Sequence, residues 1–171
     1  MGYRDNLYDL VLVLHLLAVV VGFGPFFLGT AIYGRAAEGG GPAGLAIGRA
    51  TMKLTAVSDL FIYAVFVTGI LLVILSDDVI PFSDMWISIS MLLYFAGIAV
   101  SHAMLRPAGK RMLALQEELA GAGPPAGGGR PRQVDEIEAA GKRLAMAGMI
   151  ENLIVVAIVF LMVFKPGAEN F

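Results

Sequence analysis

The sequence predicts an all-α membrane protein, a bundle of four transmembrane helices that forms a single integral membrane domain over residues 1–171. Apolar residues make up 58% of the chain and charged residues 15%, against roughly 45–50% and about 25% in ordinary globular domains. The apolar residues are gathered in four long runs, each near the ~20 residues that a helix needs to cross the hydrocarbon core of a bilayer. These runs lack the alternation of apolar and polar positions that is typical of a transmembrane β-barrel.

The four predicted spans differ in the charges that they carry. The first and third contain no Lys, Arg, Asp or Glu, whereas Asp59 interrupts the second and Glu151 interrupts the fourth. The third span carries His102 near its end. In chain order the spans cover about residues 10–34, 54–76, 85–105 and 144–164.

The connections between the spans differ in composition. Residues 38–48 include a Gly-Gly-Gly-Pro stretch and are expected to be flexible. Residues 106–143 are expected to form a cytoplasmic helical extension and a flexible loop. Good helix formers continue the third span from Arg106, residues 121–131 form a Gly- and Pro-rich linker, and a helical pattern resumes at Gln133.

Lys and Arg residues are distributed unequally between the two sides of the predicted bundle. Because consecutive spans run in opposite directions, the first and third connections lie on one side, and they hold ten of the twelve Lys and Arg residues. Positive residues accumulate on the cytoplasmic side of membrane proteins. We therefore expect both termini to be extracytoplasmic, in a multi-pass protein of the lipid bilayer of a bacterial plasma (inner) membrane.

Composition also excludes several kinds of site. The chain has no cysteine, which excludes disulfides, Cys-ligated zinc, iron–sulfur clusters and thiol nucleophiles. A net charge of −2 does not indicate a nucleic-acid partner. Since the sequence has neither a nucleotide-binding loop nor a recognisable catalytic triad, we predict no enzymatic activity.

Small residues share one face of the first span. Ala18, Gly22, Pro25 and Gly29 follow His15 at intervals of three and four, so these residues lie on the same side of a helix. Small side chains let membrane helices approach closely, which predicts helix packing within the chain or in a homo-oligomer. Pro25 also predicts a kink, because proline cannot donate a backbone hydrogen bond.

Two interpretations of His15 remain open. In the simpler one, His15 is hydrogen-bonded to a neighbouring helix within the packing face. In the other, it is a ligand of heme or of a metal ion, because an ionisable side chain inside a membrane span indicates a functional site. The helical rise places His15 and His102 roughly 17 Å apart along the membrane normal, which argues against one heme held by both within a chain. A His–Met pair or a site shared between chains stays open. A heme or metal cofactor is therefore not the favoured interpretation.

Three titratable residues are predicted to lie at nearly one depth. Asp59, His102 and Glu151 each lie about 5 to 10 Å inside the cytoplasmic end of their span, judged by the helical rise. Such a group suits a proton relay or a cation site. In the alternative interpretation, a long basic side chain reaches the carboxylates and the group is purely structural.

These residues lead to three functional hypotheses. The leading one is a small oligomeric transporter or channel-like unit that uses Asp59, His102 and Glu151. The alternative is a heme- or metal-binding redox or assembly protein that uses His15. The third is a subunit or scaffold that binds no ligand.

The opening of the first span also resembles a known family. The sequence LHLLAVVVGFGP at Leu14–Pro25 is similar to the first helix of the bacterial domain-of-unknown-function family 2269, predicted integral membrane proteins. Trp86 at the start of the third span and Arg106-Pro107 after its end fit the same pattern. The resemblance extends over most of the four spans and implies a multi-pass membrane protein. More distantly, the Leu-His and Gly-rich opening is similar to CopD- and HemJ-type membrane proteins, which implies metal or heme chemistry at His15.

Overall fold

The computed structural model describes residues 5–38, 41–122 and 132–168, with α1 beyond Pro25 described by its backbone alone. Within these ranges all regular structure is helical. The elements are α1 (Asn6–Glu38), α2 (Gly41–Ile74), α3 (Met85–Val100), a π-helical turn (Ser101–Leu105), α4 (Arg106–Ala122) and α5 (Arg132–Phe164).

Four helical stretches among the described residues are long and apolar enough to cross a membrane. This finding confirms the predicted fold class of an all-α protein with four membrane-spanning helices. The stretches are Asn6–Pro25, Gly41–Ile74, Met85–Gly121 and Arg132–Phe164. α1 continues through Pro25 without interruption as far as Glu38.

The helices are longer than their apolar runs. α2 has 34 residues and α5 has 33, which at 1.5 Å per residue gives about 50 Å for each, whereas the hydrocarbon core is about 30 Å thick. Each of these helices therefore includes a polar part outside the apolar run that the sequence identified as a span.

The prediction of a flexible connection at residues 38–48 is wrong for the residues that begin α2, because Gly41 to Gly48 are helical. A Cβ atom at Gly48 would lie 2.9 Å from Gln116 Oε1 and 3.3 Å from Leu113 Cδ1. Glycine here permits close contact with α4, and that tertiary contact outweighs the low intrinsic helix propensity of glycine. The predicted linker at 121–131 falls mostly outside the described residues, although α4 reaches Ala122.

The third span continues into α4 through the π turn. The backbone N–H of Arg106 donates to the carbonyl of Ser101, five residues earlier. Pro107 explains why the helical turn is wider here than in an α-helix, because a proline ring clashes with the carbonyl four residues before it and offers no N–H. That carbonyl belongs to Ala103, in the middle of the π turn. The wider turn keeps the helix continuous across the proline.

The chain divides into two compact units, which we describe separately. Unit 1 comprises Met1–Pro25, Ala56–Ala96 and Leu153–Phe171, and unit 2 comprises Phe26–Thr55 and Gly97–Asn152. In unit 1, a buried apolar cluster lies where α2 connects to α3, with members Val73, Ile80, Trp86 and Ile87.

Ser76 organises the connection between α2 and α3 in unit 1. Its side chain is 0% exposed, and its Oγ donates to the carbonyl of Val73 at 2.7 Å and accepts from the N–H of Ile80 at 3.1 Å. Asp77 and Asp78 follow in the left-handed region, with φ of 50° and 63°. Asp tolerates this conformation better than most residues, so Asp77 and Asp78 are suited to the turn in which the chain reverses direction between α2 and α3.

Unit 2 joins the polar part of α2 to α4 and to the first half of α5. Leu115 on α4 is 2% exposed and provides an apolar anchor. On the surface of the unit, Arg49 on α2 pairs with Glu117 at 3.0 Å, and Arg111 on α4 pairs with Glu136 on α5 at 2.5 Å. These pairs link each of the other two helices to α4.

Candidate functional site

One face of α1 is buried within unit 1. Tyr8, Val11, His15, Ala18 and Gly22, spaced by three and four, are all buried. These positions form one stripe on a helix, so the stripe includes three of the residues that the sequence placed on a packing face.

The close approach of α1 and α2 is centred on Gly22. A Cβ atom at Gly22 would lie 3.1 Å from the backbone nitrogen of Ile62 and 3.2 Å from Ile62 Cγ1. Pro25, one turn further, is half-buried. The surroundings of Gly29 lie outside the described residues, so its predicted packing role stays a prediction.

His15 is held by a hydrogen bond to α2. The side chain is 8% exposed, and its Nδ1 lies 2.9 Å from the Oγ1 of Thr68. Thr68 Oγ1 also lies 2.7 Å from the carbonyl of Ala64, to which it donates its proton. A hydroxyl has only one proton, so Thr68 accepts from His15. This assignment places the ring proton of His15 on Nδ1, and in that tautomer Nε2 keeps a lone pair.

Gly69 makes room for the histidine ring beside this hydrogen bond. A Cβ atom at Gly69 would lie 3.3 Å from His15 Cε1, which is tight for a carbon–carbon contact. Thr68 and Gly69 together form the surface of α2 against which the ring packs. Sequence reasoning missed both residues, because a single sequence does not reveal which part of α2 faces His15.

The three residues of the predicted polar group lie in different surroundings. Asp59, on α2 in unit 1, is half-buried. His102, on the π turn in unit 2, is exposed, and its Nδ1 lies 2.8 Å from the carbonyl of Ile98 on the same helix. Glu151, on α5 in unit 2, is buried. A common site for all three residues stays a prediction.

Glu151 has the most unusual surroundings of the three. It is 7% exposed, and its carboxyl group lies near the backbone of Ser101 in the π turn. Its Oε1 is enclosed and has no hydrogen-bond partner among the described residues, and the same holds for Oδ1 of the adjacent Asn152. A buried acceptor without a donor is energetically unfavourable. The arrangement can therefore accept a proton or a small cation.

The described residues contain no group of three or more His, Asp or Glu side chains that could hold a metal ion. Of the two histidines, His15 is buried beside Thr68 and His102 is exposed at the π turn.

The helical architecture and the apolar surfaces of its spans define a multi-pass integral membrane protein. The chain belongs to the family of predicted integral membrane proteins DUF2269, whose family model matches residues 9–166. This finding confirms the family resemblance seen in the sequence, while the more distant similarity to CopD- and HemJ-type proteins stays a prediction. No curated protein and no solved structure matches the chain.

Proposed function

We propose that this protein is a small transporter or channel-like unit that carries protons or monovalent cations across the membrane, with Glu151 as its central carboxyl group. The observation that carries the proposal is the enclosed Oε1 of Glu151, which lacks a hydrogen-bond partner among the described residues. An ionisable side chain inside a membrane span is unfavourable enough that it indicates a functional site. Exchange of a proton or cation at this oxygen is the chemistry that such a group offers.

The neighbouring residues support the same chemistry. Asn152 adds a second enclosed oxygen that has no hydrogen-bond partner in the described part of the chain. Carboxylate and amide oxygens are the ligands that hard cations prefer. The backbone of Ser101, in the π turn, lies near the Glu151 carboxyl group. Irregular turns of this kind occur frequently at functional sites.

The proposed transport also uses Asp59 and His102. Exposed His102, in the same unit as Glu151, is suited to passing a proton between Glu151 and the aqueous side. Half-buried Asp59 is the second carboxyl group that the proposal assigns to transport. In this proposal that side is the cytoplasm and both termini are extracytoplasmic, in the plasma membrane of a bacterium. The protein acts as a homo-oligomer, without enzymatic activity and without a nucleic-acid partner.

Flux measurements in liposomes test the proposal. Purified protein is reconstituted with a pH-sensitive dye inside, a potassium gradient with valinomycin sets the voltage, and proton entry is compared with sodium entry. We expect Glu151→Gln to abolish flux, because the amide neither carries a charge nor exchanges a proton. Glu138→Gln is the matched control, because Glu138 lies on the same helix but is exposed and pairs with Lys142.

Two results contradict the proposal. One is wild-type flux no greater than that of empty liposomes for either ion. The other is flux that Glu151→Gln leaves unchanged.

A second candidate function is binding of heme or a metal ion by His15. The observation that favours it is the hydrogen bond between Nδ1 of His15 and Thr68. When Nδ1 donates in this bond, Nε2 keeps a lone pair that can bind a ligand. Histidines that bind metals commonly donate their other ring N–H to a fixed acceptor in this way. The competing interpretation is a hydrogen bond that serves packing alone.

Absorption spectra of the purified protein, oxidised and reduced, together with metal analysis, distinguish these two interpretations. A Soret band or bound metal that is lost in His15→Ala and retained in His102→Ala supports cofactor binding. A featureless spectrum with no metal rules it out and leaves the packing interpretation.

A further inference from the structure

Among the described residues of unit 2, some surface cations form ion pairs with glutamates and others do not. Arg49 on α2, Arg111 on α4 and Lys142 on α5 each pair with a glutamate, at 3.0, 2.5 and 3.2 Å respectively. Three other cations on the same three helices are exposed and form no ion pair among the residues that the structure describes. These unpaired cations are Lys53 on α2, Lys110 on α4 and Arg143 on α5.

The three unpaired cations lie at the borders of the apolar runs. Lys53 directly precedes the run that begins at Leu54, and Arg143 directly precedes the run that begins at Leu144. Lys110 follows Leu105, the last residue of the third run, by five residues, or about 7.5 Å of helix. The headgroup layer extends roughly 5–7 Å beyond the hydrocarbon on each side. The three side chains therefore reach the level of the lipid phosphates.

These borders all belong to the same side of the membrane. Consecutive spans run in opposite directions, so the start of the second span, the end of the third and the start of the fourth lie together. A contact within unit 2 shows this directly for two of them. A Cβ atom at Gly109 would lie 3.5 Å from the sulfur of Met52, and Lys110 and Lys53 are the next residues on each side of that contact.

We infer that Lys53, Lys110 and Arg143 bind the anionic phospholipid headgroups of the surrounding leaflet. Lys and Arg at this level attract acidic lipids, and both bind phosphate oxygens well. The paired cations of the unit are already compensated by glutamates, so the unpaired ones hold the positive charge that is open to lipid. This inference does not depend on the proposed transport activity.

The test compares lipid binding by two triple variants of the full-length protein. Detergent-solubilised protein is titrated with phosphatidylglycerol or phosphatidylcholine, and binding is followed by native mass spectrometry. The test variant is Lys53→Gln, Lys110→Gln and Arg143→Gln. The matched control is Arg49→Gln, Arg111→Gln and Lys142→Gln, which removes the same charge from the same three helices but at paired positions.

We expect wild type to prefer phosphatidylglycerol and the control variant to retain that preference. The test variant loses it, with binding weaker by about fivefold per cation, or on the order of 100-fold in all. Added salt weakens phosphatidylglycerol binding to wild type, because exposed charges are screened; this measurement needs no variant.

Four results overturn the inference: no lipid preference in wild type, no salt dependence, an equal loss in both triple variants, or a test variant that keeps the preference. A further arm adds inorganic phosphate to wild type. If phosphate at millimolar concentration displaces the lipid completely, the site recognises free phosphate and not a headgroup at the membrane surface.

Discussion

Gly69 on α2 lies against the imidazole of His15 on α1, so close that a Cβ atom there would approach Cε1 to 3.3 Å. The neighbouring Thr68 accepts the Nδ1 proton of the same ring. Two consecutive residues of α2 thus contact the ring of a buried histidine. This arrangement serves packing and would equally serve a ligand at Nε2.

Replacing Thr68 with valine tests the energetic weight of the hydrogen bond. The change keeps the shape of the side chain but leaves the buried Nδ1–H of His15 without an acceptor, which we expect to destabilise the protein by about 1–3 kcal/mol. Thr55→Val is the control, since Thr55 also donates to a carbonyl four residues earlier. Unfolding in detergent, followed by the fluorescence of Trp86, measures both variants. Equal effects would argue against a special role of the His15–Thr68 pair.

Gly22 and Gly24 provide a comparison within one helix. A Cβ atom at Gly22 would lie 3.1 Å from the backbone nitrogen of Ile62, whereas a Cβ atom at Gly24 would have no atom of the described residues within 4 Å. Gly22→Ala must push α1 and α2 apart and should destabilise the protein by about 1–3 kcal/mol. Gly24→Ala should be neutral or stabilising, since alanine is the better helix former. Thermal unfolding of the two variants checks the contrast, and a reversed order would contradict the close approach.

The stability of the protein should be sensitive to a very small change at Ser76. Ser76→Ala removes one hydroxyl and leaves the N–H of Ile80 without its acceptor. The side chain of Ser76 is 0% exposed, so water cannot replace the lost acceptor. We expect a loss of about 1–3 kcal/mol in unfolding free energy. Ser83→Ala, at an exposed position nearby, should have little effect. If chemical unfolding finds the two variants alike, the hydroxyl does not organise the connection between α2 and α3.

The contact between α4 and α5 should weaken in acid. Glu136 lies before the apolar run of α5, and the hydrogen bond from Arg111, with smaller contributions from the charges of Arg111 and Arg132, lowers the pKa of its carboxyl group below the usual 4.5. A carboxyl group whose pKa is lower in the folded than in the unfolded protein stabilises the fold at pH values above its unfolded-state pKa. This stability is lost as the pH falls through the folded-state pKa. Unfolding should therefore become easier below about pH 4.5.

The variant Glu136→Gln should remove that part of the acid dependence while leaving the rest of the pH profile in place. Unfolding midpoints measured between neutral pH and pH 3 provide the comparison. Parallel curves for wild type and variant would exclude a contribution from this pair.

The spans were predictable because the length of an apolar run depends only on the thickness of the bilayer. The helical start of α2 was not predictable, since the close contact of Gly48 with α4 is a tertiary feature that the sequence does not display. The burial of His15 was visible from its position within a span. Its partners Thr68 and Gly69 were not, because the pairing of helices is a tertiary property that one sequence does not display.

The π turn has a consequence for how the third span presents its faces. A turn closed five residues back holds nearly one residue more than an α-helical turn, and one residue corresponds to about 100° of rotation. Within unit 2, the faces of residues 97–100 and of Arg106–Ala122 are therefore out of phase. A helical wheel drawn through both segments mixes positions with different surroundings, and each segment needs its own wheel. Deleting one residue between Ser101 and Leu105 would bring the two segments back into a single periodicity.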